Sequence, residues 1–151
     1  MPETCIAPVD PSQPRELRGT LQEPRTILLV DDDSDLLRGL SIRCRSFGFE
    51  PYGARDAHEA ILVARGVQPD VVVLDLGLPD GDGFDVLSAL MEMRRSKPLE
   101  VIVLTGREAK YNRQRSINLG AAAFVQKPVE NWRLLETIDR VARRVHRRED
   151  D

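Results

Sequence analysis

Residues 71–83 read VVVLDLGLPDGDG: four apolar residues run straight into Asp75, and a loop rich in glycine and proline follows. An apolar run that short, ended by turn residues, fits a strand buried on both faces, because a strand with one wet face alternates polar and apolar positions. Three other stretches share the pattern. ILLV at 27–30 meets Asp31 and Asp32, VIVL at 101–104 meets Thr105, and AFV at 123–125, with Gln126, meets Lys127. Strands of an open parallel sheet all point the same way, so their terminal polar residues emerge along one edge, which is where such sheets bind ligands. Three carboxylates, a hydroxyl and an ammonium on one edge suit a divalent cation and a phosphoryl group: hard oxygen donors hold the first, and charged hydrogen-bond donors hold the second.

Helical patterns fill the intervals. A first helix is expected over 35–47, with Leu36, Leu40, Cys44 and Phe47 on its inner face and Gly48 ending it. The second strand, 49–53, contains Pro51, which removes a ladder donor and assigns this strand to a sheet edge. Asp56 and Glu59 form a capping pair for a second helix, whose inner residues are Ala57, Ala60, Ile61 and Ala64. Asp82 caps a third, with Phe84, Leu87, Leu90 and Met91 at helical spacing. The fourth helix, 108–119, is the least amphipathic and carries a polar run over 112–116. The fifth, 131–147, buries Leu134, Leu135, Ile138, Val141, Ala142 and Val145. Strictly alternating strands and helices predict a doubly wound α/β sandwich around a five-stranded parallel sheet.

A chain of 151 residues with 41% hydrophobic and 31% charged residues has the bulk and composition of one ordinary globular domain. A net charge of -3 provides no strong positive field, which argues against direct nucleic-acid binding. The arginine-rich stretch at 140–148 is followed at once by Glu149, Asp150 and Asp151, and its charges suit the last turns of a helix. Cys5 and Cys44 lack metal-binding or redox spacing; Cys44 lies on a helical apolar stripe as a packed thiol, and the composition suits a reducing cytoplasm. No apolar run approaches a membrane span, and the N-terminus lacks the basic start and apolar core of a signal peptide, so a cytoplasmic protein without membrane attachment is expected. Residues 1–24, with Pro2, Pro8, Pro11, Pro14 and Pro24 and few large apolar residues, read as a disordered extension. The folded domain is expected over 25–147, with 148–151 a short tail and no further domain after it.

The segments LLVDDD, VVVLDLGLPDGDGFDVL, VIVLTG and AAAFVQKP, in that order and spacing, resemble the receiver domain of two-component response regulators over about residues 25–147. The resemblance implies the flavodoxin-like strand order 2-1-3-4-5. It also implies that Asp75 accepts a phosphoryl group from a sensor histidine kinase or histidine phosphotransfer protein. Mg2+ would be held by Asp31, Asp32, Asp75 and the backbone carbonyl of Gly77. Lys127 and Thr105 would contact phosphoryl oxygens, and a cis peptide between Lys127 and Pro128 would aim the lysine. Thr105 and Phe124 match the family's switch pair, so a changed surface of helix four, strand five and helix five would reach a downstream effector or a second copy. Such a domain is a signalling acceptor rather than an enzyme with turnover.

Departures from the family pattern cluster at the site: Gly77 has no side chain to steer water, Arg107 lies within reach of the phosphoryl group, and Ser34 replaces a common proline. Asp33 is read as favouring the start of the first helix, His58 and His146 as surface residues, and Trp132 as a packing residue. Two other readings compete. Asp31 and Asp33 fit the D-x-D start of haloacid-dehalogenase-type phosphatases, but that family needs acids after the lysine strand, and 71–83 would go unexplained. A phosphorylation-independent interaction module would leave a fully competent set of site residues without a use.

Overall fold

Every side chain of Val71–Leu74 (β3) is buried, as expected of a central strand covered on both faces. The computed structural model describes the backbone at 25–106 and 109–150 and side chains at 25–106 and 111–145. The N-terminal extension, Cys5, Arg107 and the side chain of His146 lie outside the described residues. On either side of β3 run Arg25–Val30 (β1) and Glu100–Thr105 (β4), and outside them Phe49–Ala54 (β2) and Ala123–Gln126 (β5). All pairings are parallel, in the order β2-β1-β3-β4-β5. Pro51 does lie on an edge strand, where its missing N–H costs no ladder bond.

The connecting helices are Ser34–Ser46 (α1), Ala57–Val67 (α2), Gly83–Met93 (α3), Ala109–Asn118 (α4) and Asn131–Asp150 (α5). Alternate residues of β1 enter two separate cores. Ile27 and Leu29 pack with α1 and α5 through Leu40, Cys44, Leu134 and Ile138; Leu28 and Val30 pack with α2 and α3 through Ala60, Ala64, Leu87 and Leu90. Helix α4 rests beside β5.

Local chemistry sets the helix starts. Asp33 accepts from Asp35 N and Leu36 N to cap α1, Asp56 accepts from Glu59 N to cap α2, and Asp82 accepts from Phe84 N to cap α3. Two details differ from the sequence reading. The buried stripe of α1 is Leu37, Leu40 and Cys44, with Leu36 and Phe47 only flanking it. At about 100° per residue, Leu37 lies on the same side of Leu40 as Cys44, whereas Leu36 lies on the other. Helix α5 continues through Asp150, past the expected end at residue 147, because its last turn carries neither glycine nor proline.

The amino edge of the sheet is closed by ion pairs. Asp70 accepts from Thr26 N and pairs with Lys97 at 3.0 Å, and the buried Glu100 pairs with Arg94 at 3.2 Å. At the opposite edge the turn after β3 folds back so tightly that a Cβ on Gly83 would stand 2.4 Å from Leu76 Cα and 2.7 Å from its carbonyl oxygen. Both contacts are backbone, which cannot swing aside. Gly83→Ala is therefore expected to lower stability by about 1–3 kcal/mol, read as an earlier urea midpoint; a midpoint equal to the parent's would contradict this packing.

Candidate functional site

The polar residues at the carboxyl edge are held by backbone bonds that extend the strand pairings one step past the strand ends. Asp31 N donates to Ala54 O, Asp75 N to Val30 O and Lys127 N to Thr105 O, at 2.9–3.0 Å. The sheet register thus carries directly into the site. Carboxylate oxygens of Asp31, Asp32 and Asp75 fall within 4.8 Å of one another. Asp31 and Asp75 are buried, and Asp32 is exposed.

Lys127 reaches between the two buried acids. Its Nζ donates to Asp31 Oδ2 at 2.6 Å and to Asp75 Oδ2 at 3.4 Å, and the Lys127–Pro128 peptide is cis. The other oxygens are held by backbone: Asp33 N donates to Asp31 Oδ1 at 2.9 Å, and Gly77 N to Asp75 Oδ1 at 3.1 Å. Thr105 ends β4, is buried, and lies opposite Gln126 in the register. Phe124, opposite Val103, is half-buried against the α2–α3 core.

Burial pushes the Asp31 carboxyl up, against the hydrogen bond from Lys127 that pulls it down. Burial also works against charge on Lys127, but the hydrogen bond from Asp31 and the charges of Asp75 and Asp31 outweigh it and raise the ammonium's pKa. The lysine is therefore firmly cationic, while Asp31 holds its charge at a cost. Among the described residues, three carboxylates against one ammonium leave the cluster at a formal charge of -2 (three negative, one positive). All of its candidate metal donors are oxygens. That donor set fits a hard divalent cation such as magnesium.

Several side chains lie elsewhere than the sequence suggested, or were not singled out by it. Trp132, expected to pack, is 56% exposed, with its Nε1 donating to Glu130 and Arg133 over its ring. It precedes the inner face of α5, which begins at Leu134. His58 is exposed, as expected. Asp80 clamps the start of α2, accepting from Ala57 N at 2.6 Å and His58 N at 3.1 Å. The partners are 23 and 22 positions away, so no local pattern announces the contact. Helix α4 turns Asn112 and Ser116 inward, with Ser116 Oγ buried and without a hydrogen-bond partner among the described residues, and Arg115 lies 4.0 Å over the Phe84 ring.

Comparison with known proteins agrees with this geometry. A family model described as the response regulator receiver domain matches residues 27–139. The chain is 38% identical over 128 residues to the transcriptional regulatory protein PrrA of Mycobacterium leprae, covering 85% of this chain and 52% of PrrA. It is 40% identical over 107 residues to the probable transcriptional regulatory protein TcrX of Mycobacterium tuberculosis, covering 70% of this chain and 44% of TcrX. The chain thus spans about half the length of the curated relatives it matches. Among solved structures, a CheY-like response regulator receiver domain protein from Methanospirillum hungatei superimposes with a TM-score of 0.77 at 28% identity, covering 83% of this chain and 98% of that one. The non-phosphorylated HemR receiver domain from Leptospira biflexa gives 0.73 at 35% identity, covering 78% and 94%.

The shared lysine makes a test of the electrostatics. Lys127→Met leaves Asp31 and Asp75 without their cation and, without metal, is expected to cost about 1–3 kcal/mol at neutral pH, less than a fully buried pair because the lysine is partly exposed. A carboxyl whose folded pKa is raised gives its stability below the unfolded value and loses it as pH rises through the folded one. Losing Lys127 raises Asp31 further, so the deficit relative to the parent should shrink as pH falls from about 7 into the carboxylate range, and magnesium should shrink it at neutral pH. Urea titrations of both proteins across that range, with and without magnesium, measure this; a deficit independent of pH and metal contradicts the assigned roles.

Proposed function

The chain belongs to the response regulator receiver family, and we propose that it accepts a phosphoryl group on Asp75 from the phosphohistidine of a sensor histidine kinase or histidine phosphotransfer protein. The observation that carries this reading is the meeting of Asp31, Asp32, Asp75 and Lys127 at one end of the parallel sheet. Gly77 N occupies Asp75 Oδ1, while Oδ2 faces the lysine and is the oxygen offered for attack. In the transfer, an Asp75 oxygen forms the new bond to phosphorus as the phosphorus–nitrogen bond to imidazole breaks, and the departing ring takes up a proton. Lys127 neutralises one phosphoryl oxygen as a point charge, and Thr105 donates a hydrogen bond to another. Asp31, Asp32, Asp75 and the carbonyl of Gly77 would hold magnesium, which supplies the charge neutralisation that two approaching anions need. Asp75 ends the reaction modified, so the domain is a signalling acceptor and not a turnover enzyme. A partner of this kind implies a cytoplasmic setting.

The output is read from α4. Among its described residues the buried ones, Asn112 and Ser116, are polar, and Arg115 ties it to Phe84 of α3 by a cation–π contact. A helix held this way can shift between arrangements for a few kcal/mol, which a new dianion at Asp75 is able to bias through Thr105 and Phe124. The surface of α4, β5 and α5 would then meet a downstream effector or a second copy of the chain. The net charge of -3 gives no support to direct nucleic-acid contact by this domain.

With magnesium and a small phosphodonor, intact-mass measurement is expected to find one phosphoryl group added to the parent, none to Asp75→Asn, and slower addition to Lys127→Ala. Equal uptake by Asp75→Asn rules out the assignment. With a beryllofluoride mimic, backbone NMR shifts are expected across α4 and at Phe124; shifts confined to the loops after Asp32, Asp75 and Thr105 would reject the proposed output face.

A further inference from the structure

The loop from Asp75 to Asp82 carries the phosphoacceptor and Gly77, yet burial anchors only its first half. Leu76 and Leu78 are buried, whereas Pro79, Asp80 and Gly81 are exposed. What holds the exposed half is a contact with another helix. Asp80 Oδ1 accepts from Ala57 N at 2.6 Å and Oδ2 from His58 N at 3.1 Å, and Gly81 approaches so closely that a Cβ there would stand 3.2 Å from Ala57 Cβ. Helix α2 opens with N–H groups that have no partner inside the helix. Its own cap, Asp56, takes the N–H of Glu59, and Glu59 Oε1 in turn accepts from Arg55 N at 2.8 Å. The first two donors, Ala57 N and His58 N, are left for Asp80, a residue of the phosphoacceptor loop.

We propose that Asp80 is a positioning residue: by clamping the first two N–H groups of α2 it fixes the loop that presents Gly77 and Asp75, so the start of α2 is mechanically part of the site. The inference rests on the phosphoacceptor reading for its purpose, though the clamp itself does not. The hydrogen bonds from Ala57 and His58 hold the Asp80 carboxyl below its usual range, so the clamp stays ionised at neutral pH. The positive end of the α2 dipole favours the same charge.

Helix stability and loop position can be separated by substitution. Ala57 is the first residue of α2 after its cap, a position that proline favours, so Ala57→Pro deletes the donor that Asp80 grips at 2.6 Å while keeping the helix's own cap at Asp56. Asp56→Ala does the reverse, removing the helix's own cap and leaving the clamp. Asp80→Ala cuts the clamp from the loop side. Each protein is read two ways: magnesium affinity by NMR titration, and amide exchange at Leu76, Gly77 and Leu78 without metal. Ala57→Pro and Asp80→Ala are expected to weaken magnesium binding about tenfold, as loss of an outer support of a metal site does, and to speed exchange at Gly77. Asp56→Ala should lower the midpoint and leave both site readings at parental values. Unchanged readings in Ala57→Pro and Asp80→Ala, or equal changes in Asp56→Ala, overturn the proposal. Absence of magnesium binding by the parent overturns the phosphoacceptor reading instead, and the exchange measurement still decides the clamp.

Discussion

The register of the parallel sheet is the constraint on which the rest depends. Backbone bonds from Asp31, Asp75 and Lys127 to the neighbouring strands extend the ladder one residue beyond the apolar runs. Each such bond is worth only about 1 kcal/mol net, yet a slip of one residue would exchange core and solvent faces along a whole strand. The packing of two separate cores therefore fixes where the site's charges stand. Repulsion among Asp31, Asp32 and Asp75 is imposed on the fold by hydrophobic burial elsewhere, and Lys127 offsets part of it.

The two edges of the sheet treat acids differently. At the amino edge Asp70 and Glu100 each have a cation of their own, Lys97 and Arg94. At the carboxyl edge, among the described residues, Asp31 and Asp75 share Lys127 and Asp32 has no ion pair. Both edges hold carboxylates at the ends of buried strands, but among the described residues the carboxyl edge is the one that leaves negative charge uncompensated. That difference, more than the number of acids, separates a structural ion pair from a cluster whose charge suits a dication.

Much of this was legible in the sequence because it is written locally. Apolar runs ending in Asp31, Asp75, Thr105 and Lys127 mark strands and site together, and Pro51 places β2 at an edge. The caps at Asp56 and Asp82 follow from residue type and spacing. The phase of α1 was less legible, since Leu36 and Leu37 both fit a stripe through Leu40 and only the packed neighbours distinguish them. The clamp from Asp80 to α2 and the seat of Arg115 on Phe84 were not legible, because each joins residues far apart in the chain and neither leaves a periodic trace. Trp132 misled because large aromatic residues usually pack, whereas its place two residues ahead of Leu134, about 200° around the helix, turns it outward.

Open sheets carry a hazard at their borders, where unpaired backbone groups invite another chain to add a strand. Here β2 presents Pro51, which has no N–H to offer, beside the exposed charge of Glu50, while β5 is only four residues long. Neither border makes a good template for the strand-by-strand growth that ends in aggregation. Any association with another chain is thereby steered to the helices and loops and away from strand addition.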